Sequence, residues 1–390
     1  MTAVSRDRWP LILGLWAAPA SIAISEIFLS IATLVQLTRL ARRQTRVRLP
    51  QCLWLLLIWA GLEVVVWLFS PEPAQGWSEI RHLLLVGAVL VALSGFEQAN
   101  DLVWAWKGIF VTATASSVFL IGEFVYRFYL HREQIAAGGD AGFYLRSGGF
   151  LHHWMVYATV EIIVVAALIA FWSAFPGQHR RWWPVALVHV VAVILSLTRM
   201  AWITCLLLLA INLVWRRSRW IWVLPVIPFL FYFAAPESIR SRLSKTADLT
   251  YYSNSERLQM LSVGWRMVSD HPLTGIGPGR VEGLYESYLK DGEAIPKYHG
   301  HLHNNVTQIA AQFGILVLLA AGAFVIVAFR DLIQARKKAT GPDGRFLTET
   351  ALLSLVGFIF AGLFEYTWGH SLGLIMITFA FVPALIPSKR

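Results

Sequence analysis

Two arginines stand where an anionic substrate could be held. Arg199 follows Ser196-Leu197-Thr198 at the point where one apolar run ends and the next begins. A guanidinium near hydrocarbon is costly, but its planar fork suits a phosphate. Arg257 follows Glu256 in the predicted first turn of a helix, where a cation opposes the helix dipole unless an anion also binds. A phosphate site is one interpretation. The alternatives are lipid-headgroup contact for Arg199 and a solvated ion pair with Glu256 for Arg257.

Three histidines occupy alternate positions, at His299, His301 and His303. On an extended backbone their rings would face one way, as metal ligands do. No acidic cluster accompanies them, so the sequence predicts no metal site. An imidazole takes up a proton near neutral pH, because its reference pKa is about 6.5. His303 meets the predicted helix from Asn304 and is therefore the candidate general base. A histidine that only bonds to backbone at a helix start is the alternative.

Several other polar residues are secondary candidates for the same site. These further contacts are Arg146, Arg266, Arg280, His301 and Asn304. Arg146 joins an outer loop to an apolar segment, where an interface anchor is the simpler interpretation. The glycines at 275, 277 and 279 are no nucleotide fingerprint, since no strand precedes them and Pro278 interrupts the turn. Glu365 and His370 would line a cavity or cap helices.

The composition places these residues in a membrane protein. Hydrophobic residues make up 57% of the 390 and charged residues 14%, more apolar surface than one soluble core could bury. The net charge of +10 arises mainly from short basic clusters between apolar runs, which orient membrane proteins and do not indicate nucleic-acid binding. Cys52 and Cys205 lie in apolar runs and predict no disulfide framework. Glu161 lies within a predicted span, where it requires a buried partner or water.

About a dozen segments approach the roughly 20 apolar residues of a spanning helix. They are residues 9–21, 22–40, 51–70, 79–97, 102–126, 149–173, 183–198, 200–215, 219–235, 304–329, 349–366 and 370–386. The first pair is long for one tilted helix and short for two, and it favours retained spans over a cleaved leader. We therefore predict an all-α membrane helix bundle. Residues 1–235 would hold spans 1–9, residues 236–303 one large loop outside the membrane that carries most of the candidate residues, and residues 304–390 spans 10–12.

Local patterns predict the shape of the large loop and the orientation of the bundle. Residues 253–270 have helical periodicity that begins near Asn254 or Ser255 as caps and ends at His271-Pro272. Five basic clusters fall on one side of the predicted bundle, at residues 42–48, 180–181, 216–219, 330–345 and 389–390. The positive-inside rule places that side, and both termini, in the cytoplasm.

Five segments in order resemble the O-antigen ligase and polymerase superfamily. They are Ser196–Arg199, Glu256-Arg257 ahead of Trp265, residues 271–277 (His-Pro-Leu-Thr-Gly-Ile-Gly), His303-Asn304 and Gly314-Ile315. The family shares an SxSR-like segment, an outer loop from an Arg to HPLxGxG, and a following HN…G helix. The match covers roughly residues 145–320. Thr198 stands where Ser is common and His299 and His301 are additional, but His303 alone has the family offset to Asn304 and Gly314.

The resemblance implies a C-type glycosyltransferase architecture in the bacterial inner membrane, with a periplasmic active site. A glycan would leave undecaprenyl diphosphate and join a sugar hydroxyl of lipid A–core. Arg199 and Arg257 would bind the diphosphate, and His303 would be the essential histidine. Single displacement would invert the anomeric centre. No cofactor is expected, and no metal, since the large loop has no DxD-like acidic pair. Membrane lipids are the other expected partners, and the oligomeric state is left open.

Other functions share parts of this pattern. An O-antigen polymerase differs only in acceptor, and the compact length with one dominant loop before three last spans favours the ligase. A protein O-oligosaccharyltransferase would be expected to carry an added C-terminal part. A twelve-span transporter would bind its substrate at the membrane midplane and often consists of two similar halves. The sequence shows no internal repeat, and the candidate residues lie at the predicted outer surface.

Overall fold

The computed structural model describes residues 6–45, 50–94, 96, 99–234, 240, 243–246 and 248–385. Regular structure in this part of the chain is helical and includes no strand, which confirms the predicted all-α class. The longer helices of the first half are α1 (Trp9–Ala17), α2 (Ile22–Ala41), α3 (Gln51–Leu68), α4 (Trp77–Leu93), α5 (Ala99–Ala136), α6 (Trp154–Ala174) and α7 (His179–Leu195). Those of the second half are α8 (Arg199–Trp215), α9 (Val226–Ala234), α10 (Tyr252–Asp270), α11 (Asn305–Phe313), α12 (Ile315–Lys338), α13 (Gly341–Ala361) and α14 (Ser371–Phe381).

Six helices are long and apolar enough to cross a membrane. These are α2, α3, α5, α6, α12 and α13, and α8 and α14 are shorter apolar helices. In α6 and α13 the most apolar stretch is 78% and 72% buried by other helices, against 22–28% in α2, α3 and α12. The pair α6–α13 is therefore the centre of the bundle, and the other three helices present apolar surface outward. These findings support a multi-pass membrane protein, and the figure of about twelve spans stays a prediction.

The N-terminal apolar region forms two helices and a tight turn. The nine-residue α1 packs along α2, where the Ser25 hydroxyl donates to the Gly14 carbonyl at 2.8 Å.

The span predicted at residues 219–235 is not one long helix. Residues 219–234 contain a 3₁₀ turn at Arg219–Trp222 and the nine-residue α9. At 1.5 Å per residue, α9 is about 14 Å long, so no single helix within 219–234 spans the layer predicted there.

Helix α5 is longer than the sequence suggested. The prediction ended a span at residue 126, but the helix continues without a break to Ala136. The Glu123 carboxylate accepts hydrogen bonds from Arg127 one turn later, which stabilises this extension. A 38-residue helix is about 57 Å long, well beyond the roughly 30 Å of a hydrocarbon layer. The first part of the predicted loop 127–148 is thus a helix.

The predicted continuous span 304–329 is wrong, because the helix breaks at Gly314. This residue has φ +86° between α11 and α12, a conformation that favours glycine. A Cβ atom here would lie 2.2 Å from the Leu273 carbonyl oxygen. The Ile315 N–H donates to the Pro272 carbonyl, and the Ile276 N–H donates to the Ala311 carbonyl, both at 2.8 Å. The family segment at 271–277 therefore docks onto the break.

The large loop folds over α11 with an apolar core of its own. That core consists of Met260, Val263, Met267, Val268, Ile276, Val281, Tyr285, Leu302, Ala310 and Ala311. Gly264 lets α10 approach closely, since a Cβ there would lie 2.3 Å from the Thr307 side chain. Helix α10 begins at Tyr252 with Tyr251 as its N-cap residue, so neither Asn254 nor Ser255 is the cap. Arg257 consequently lies in the second turn of α10, and not in the first.

Candidate active site

His303 and Glu365 form the closest pair at the candidate site. The His303 Nδ1 lies 2.9 Å from Glu365 Oε2, across 62 residues of sequence. The Glu365 side chain is 1% exposed, whereas that of His303 is 17% exposed. His303 has φ +48°, a left-handed conformation that is uncommon for a residue with a Cβ. Such backbone is retained where surrounding contacts determine it, and it frequently occurs at functional sites.

His301 completes the cluster from the other side of the carboxylate. Its Nε2 lies 3.3 Å from Glu365 Oε1, and its Nδ1 accepts the backbone N–H of His303 at 3.2 Å. Because Nδ1 accepts a hydrogen bond, the proton of the neutral ring is on Nε2 and faces the carboxylate. Burial lowers the pKa of His301 to about 4, although Glu365 acts in the opposite direction. His301 is therefore neutral near pH 7 with both nitrogens engaged, which makes His303 the better base.

Glu365 is the negative centre of this cluster. Burial alone would raise the pKa of the Glu365 carboxyl. The hydrogen bond from His303, together with the electrostatic effect of His303, His301 and His370 when these rings are protonated, outweighs burial and lowers that pKa below its ordinary value. Burial lowers the pKa of His370, whose Nδ1 lies 3.1 Å from the Thr159 hydroxyl of α6. The carboxylate is therefore ionised at neutral pH and accepts a hydrogen bond from the neighbouring ring of His303.

Asn304 and Asn305 fasten the Glu365 loop to the start of α11. Asn304 caps α11 by accepting the Thr307 N–H at 2.9 Å, and its amide donates to the Leu363 carbonyl at 2.9 Å. The Asn305 side chain donates to the Thr367 hydroxyl at 2.9 Å, and its backbone N–H donates to the Gly362 carbonyl at 2.6 Å. Asn304 thus follows His303 directly, and its side-chain amide contacts backbone of the loop after α13.

Arg199 lies at the N-terminus of α8 and is held by the large loop. Its guanidinium donates to the Lys245 carbonyl at 2.8 Å and to Asn254 Oδ1 at 2.7 Å. Its charge centre lies 5.7 Å from the centre of the Tyr251 ring, and the Tyr251 hydroxyl bonds to Asp140. The two donated bonds use two of the five guanidinium N–H groups. Arg199 is 8% exposed and is therefore fixed by protein contacts, unlike an arginine extended toward lipid headgroups.

Arg257 connects the arginine and histidine parts of the site. Its positive charge acts on Arg199 and also on His301, which places it within electrostatic range of both. The two like charges repel each other, and the Asp140 carboxylate acts on Arg199 in the opposite direction. Positive charge at this place suits an anionic substrate. The structure thus brings Arg199, Arg257, His301 and His303 to one end of the bundle, together with Asn304.

The remaining predicted contacts lie in other surroundings. Arg266 forms a two-pronged ion pair with Glu293 at 2.6–2.8 Å within the large loop. Arg280 donates to the Ile276 carbonyl at 2.7 Å and pairs with Glu72 at 3.2 Å. Both arginines therefore serve the loop and its contact with the bundle. Arg146 lies over the Trp154 ring at 5.3 Å, and its buried Nε has no hydrogen-bond partner among the described residues.

One set of residues here could in principle bind a metal ion. A donor atom from each of His301, His303 and Glu365 lies within 4.8 Å of the others. The hydrogen bonds argue against such a role. A metal on His301 Nε2 would displace its proton to Nδ1, which would then face the N–H of His303 instead of accepting it. The arrangement is better suited to hydrogen bonding than to coordination.

Sequence reasoning missed the roles of Glu365 and Asn254. Glu365 was considered only for cavity lining or helix capping, and Asn254 only as a cap. Both act through partners more than 50 residues away in sequence. The available signal in the sequence was that Glu365 lies in a short loop predicted to be on the same side of the membrane as His299, His301 and His303.

Residues 184–322 match the family model described as O-antigen ligase. The matched region contains Arg199, Arg257 and His303, whereas Arg146 and Glu365 lie outside it. It covers rather more than a third of the chain and confirms the resemblance seen in the motifs. The match supports a relationship to the O-antigen ligase and polymerase superfamily, whose members are glycosyltransferase-like enzymes that act on lipid-linked glycans. A search of curated proteins finds no match to the chain.

Proposed function

We propose that this protein is an O-antigen ligase. It would transfer a glycan from undecaprenyl diphosphate to a sugar hydroxyl of lipid A–core on the periplasmic face of the bacterial inner membrane. The observation that carries the proposal is the pairing of His303 Nδ1 with the buried Glu365 carboxylate, close to Arg257. No hydrogen bond to His303 Nε2 is present among the described residues, so this nitrogen remains for a substrate.

The proposed reaction is a single displacement at the anomeric carbon. His303 Nε2 takes the proton of the acceptor hydroxyl as the acceptor oxygen bonds to that carbon, and the bond from carbon to the diphosphate oxygen breaks. General bases of this kind contribute about 10²–10⁴ in rate. Arg199 and Arg257 bind the departing diphosphate, whose charge grows as the bond breaks. The anomeric configuration inverts, and the residues perform these steps without a metal ion or a cofactor.

The two ends of the bundle differ in a way that supports the proposed orientation. Arg216 and Arg336, from separate basic clusters, both pair with the buried Glu349. Arg216 directly follows α8, whereas Arg199 begins it, so these two arginines lie about 26 Å apart along the helix axis. The positive-inside rule assigns the Arg216 end to the cytoplasm, which leaves Arg199 and the loop 236–303 on the periplasmic side.

Transfer by purified protein tests this proposal. The protein would be given undecaprenyl-diphosphate glycan and lipid A–core in EDTA, and products would be separated by mobility. We expect glycan on lipid A–core. Growth of the lipid-linked glycan instead would identify a polymerase, and transfer that requires an added divalent metal would overturn the metal-free mechanism. Folded protein that gives neither product would overturn the enzymatic proposal and favour transport.

A further inference from the structure

We propose that Glu365 is a positioning residue that fixes the ring orientation and proton location of His303, an inference that rests on the proposed function. Glu365 is 1% exposed and therefore acts through His303, with no direct access to substrate. It lies outside the region matched by the family model and was not identified by its sequence position.

The first argument is the chemistry of the hydrogen bond. An ionised carboxylate can only accept, so the His303 nitrogen at 2.9 Å must carry the proton. A neutral imidazole has one N–H, and with that proton on Nδ1 the lone pair is on Nε2. The opposite form would place a lone pair against a carboxylate and an N–H toward the acceptor hydroxyl. Glu365 therefore selects the form of His303 that can accept a proton from substrate.

The second argument is electrostatic. When His303 takes up the acceptor proton, the ring becomes positively charged while its Nδ1–H remains bonded to Glu365. Attraction between opposite charges is much stronger where water is excluded than in bulk solvent. The carboxylate is buried and already in place, so little reorganisation is needed as the charge develops. Glu365 thus favours the transition state, in which the proton has begun to move to His303.

The third argument is that the carboxylate is itself held in place. His301 Nε2 lies 3.3 Å from Oε1, and the Tyr366 N–H donates to the same oxygen at 3.1 Å. The Tyr366 hydroxyl bonds to Glu79 of α4 at 2.5 Å, while Asn304 and Asn305 fasten the loop to α11. These contacts leave Oε2 directed at His303. His303 and Asn304 are thus both hydrogen-bonded to the Glu365 loop, although Glu365 is 62 residues away from His303 in sequence.

Replacing Glu365 tests the role through steady-state kinetics and pH dependence. We expect Glu365→Gln to lower kcat by about 10²-fold or more, by analogy with other histidines that lose an orienting carboxylate. KM for donor and acceptor should change by less than about threefold, because Glu365 does not touch them. The acid limb of the kcat profile should move to lower pH, since the protonated ring loses its carboxylate. Glu365→Asp should recover part of kcat.

Glu349→Gln is the matched control, because Glu349 is an equally buried carboxylate at the opposite end of the bundle. It should leave kcat and the pH profile unchanged. Folded Glu365→Gln with wild-type kcat and an unmoved acid limb would overturn the proposal, and so would equal kcat losses in the two variants.

Nitrogen-15 NMR of histidine-labelled wild-type protein shows which ring nitrogen of His303 carries the proton, and it needs no Glu365 variant. The His303 signals would be assigned by their absence in His303→Ala. We expect a protonated Nδ1 and an unprotonated Nε2 at neutral pH, and the reverse would overturn the proposal even if glycan transfer is observed. Wild-type protein with the expected ring form but no transfer would contradict the proposed function alone.

Discussion

Two pairings of a histidine with a buried glutamate, in the part of the chain that the structure describes, lie in sharply different environments. His303 and Glu365 meet in the loops at the end of the bundle that we propose faces the periplasm, here called the outer end. His189 of α7 and Glu161 of α6 meet inside the bundle at 2.5 Å. His189 is 1% exposed and His303 is 17% exposed. The other ring nitrogen of His189 lies 3.2 Å from the Thr114 hydroxyl of α5, so both of its nitrogens are engaged.

This difference shows that a His–Glu pair alone does not identify a chemical site. The pair inside the bundle joins α5, α6 and α7 and leaves no ring nitrogen for a substrate. The pair at the outer end has a nitrogen without a protein partner among the described residues, and a positively charged arginine nearby. The pair proposed to take part in the reaction therefore differs from the structural pair in two ways: its histidine is more exposed, and one ring nitrogen has no protein partner. Substitutions at each pair should have different effects.

Loss of the outer histidine should have the largest effect on activity. We expect His303→Ala to lower transfer by at least about 10²–10⁴-fold, because the proton acceptor is lost. Membrane insertion should be retained, and the melting temperature should fall less than after loss of His189, because Glu365 keeps its contacts with His301 and the Tyr366 N–H. Rates should be normalised to folded, purified protein. Wild-type turnover in this variant would remove His303 from the mechanism.

Loss of the inner histidine should instead affect stability. His189→Leu leaves the buried Glu161 without its partner, and breaking a buried pair in this way costs about 3–5 kcal/mol. We expect a lower melting temperature in detergent but transfer per folded molecule within about threefold of wild type. A variant that is stable yet inactive would show that the inner pair takes part in chemistry and would invalidate the distinction drawn here.

A conservative change at the arginine part of the site should have an intermediate effect. Arg199→Lys keeps the charge but loses the fork that contacts Lys245 and Asn254 and would grip a diphosphate. Losing a charge-assisted hydrogen bond costs about 1.5–3 kcal/mol, so we expect kcat/KM to fall about 10- to 150-fold. Arg181→Lys, in a predicted cytoplasmic cluster, is the control. Unchanged donor affinity and rate would show that Arg199 only stabilises the contact between α8 and the large loop.

The smallest effect should be a dependence of stability on pH through His301. Its folded pKa of about 4 lies below the ordinary value of 6.5, so the unfolded chain binds the proton more readily. The stabilisation is complete above pH 6.5 and falls as pH is lowered toward 4, by about 1.4 kcal/mol per unit at most. His301→Gln should show a flatter melting temperature between pH 6.5 and 4.5. An unaltered slope would contradict a neutral, buried His301.

The sequence was informative where local pattern determines structure. Apolar runs predicted the helical class, and the turn between α7 and α8 falls at Ser196–Thr198, close to its predicted position. The ordered motifs led to Arg199, Arg257 and His303, which the structure brings to one end of the bundle. Runs of apolar residues and motif spacing depend on neighbours in sequence, so they can be recognised without tertiary contacts.

The remaining features depend on contacts between distant segments. Nothing near Gly314 in sequence indicates that residues 272–276 dock there and break the helix. The sequence around Asn254 is typical of a helix cap, but in the structure its side chain accepts from Arg199 and donates to the Lys245 carbonyl. Glu365 lies beside His303 because Asn304 and Asn305, at the start of α11, form hydrogen bonds to the loop that contains it. Each case involves a polar side chain whose partner is determined by the tertiary fold.

Single-turnover transfer with imidazole rescue tests the central claim most directly. Wild type and His303→Ala would be mixed with labelled undecaprenyl-diphosphate glycan and lipid A–core, with and without added imidazole. We predict rapid transfer by wild type, transfer slowed at least about 10²-fold in His303→Ala, and partial recovery when imidazole occupies the space left by the ring. Equal rates for wild type and His303→Ala, or no transfer by folded wild-type protein to either acceptor, would contradict the account.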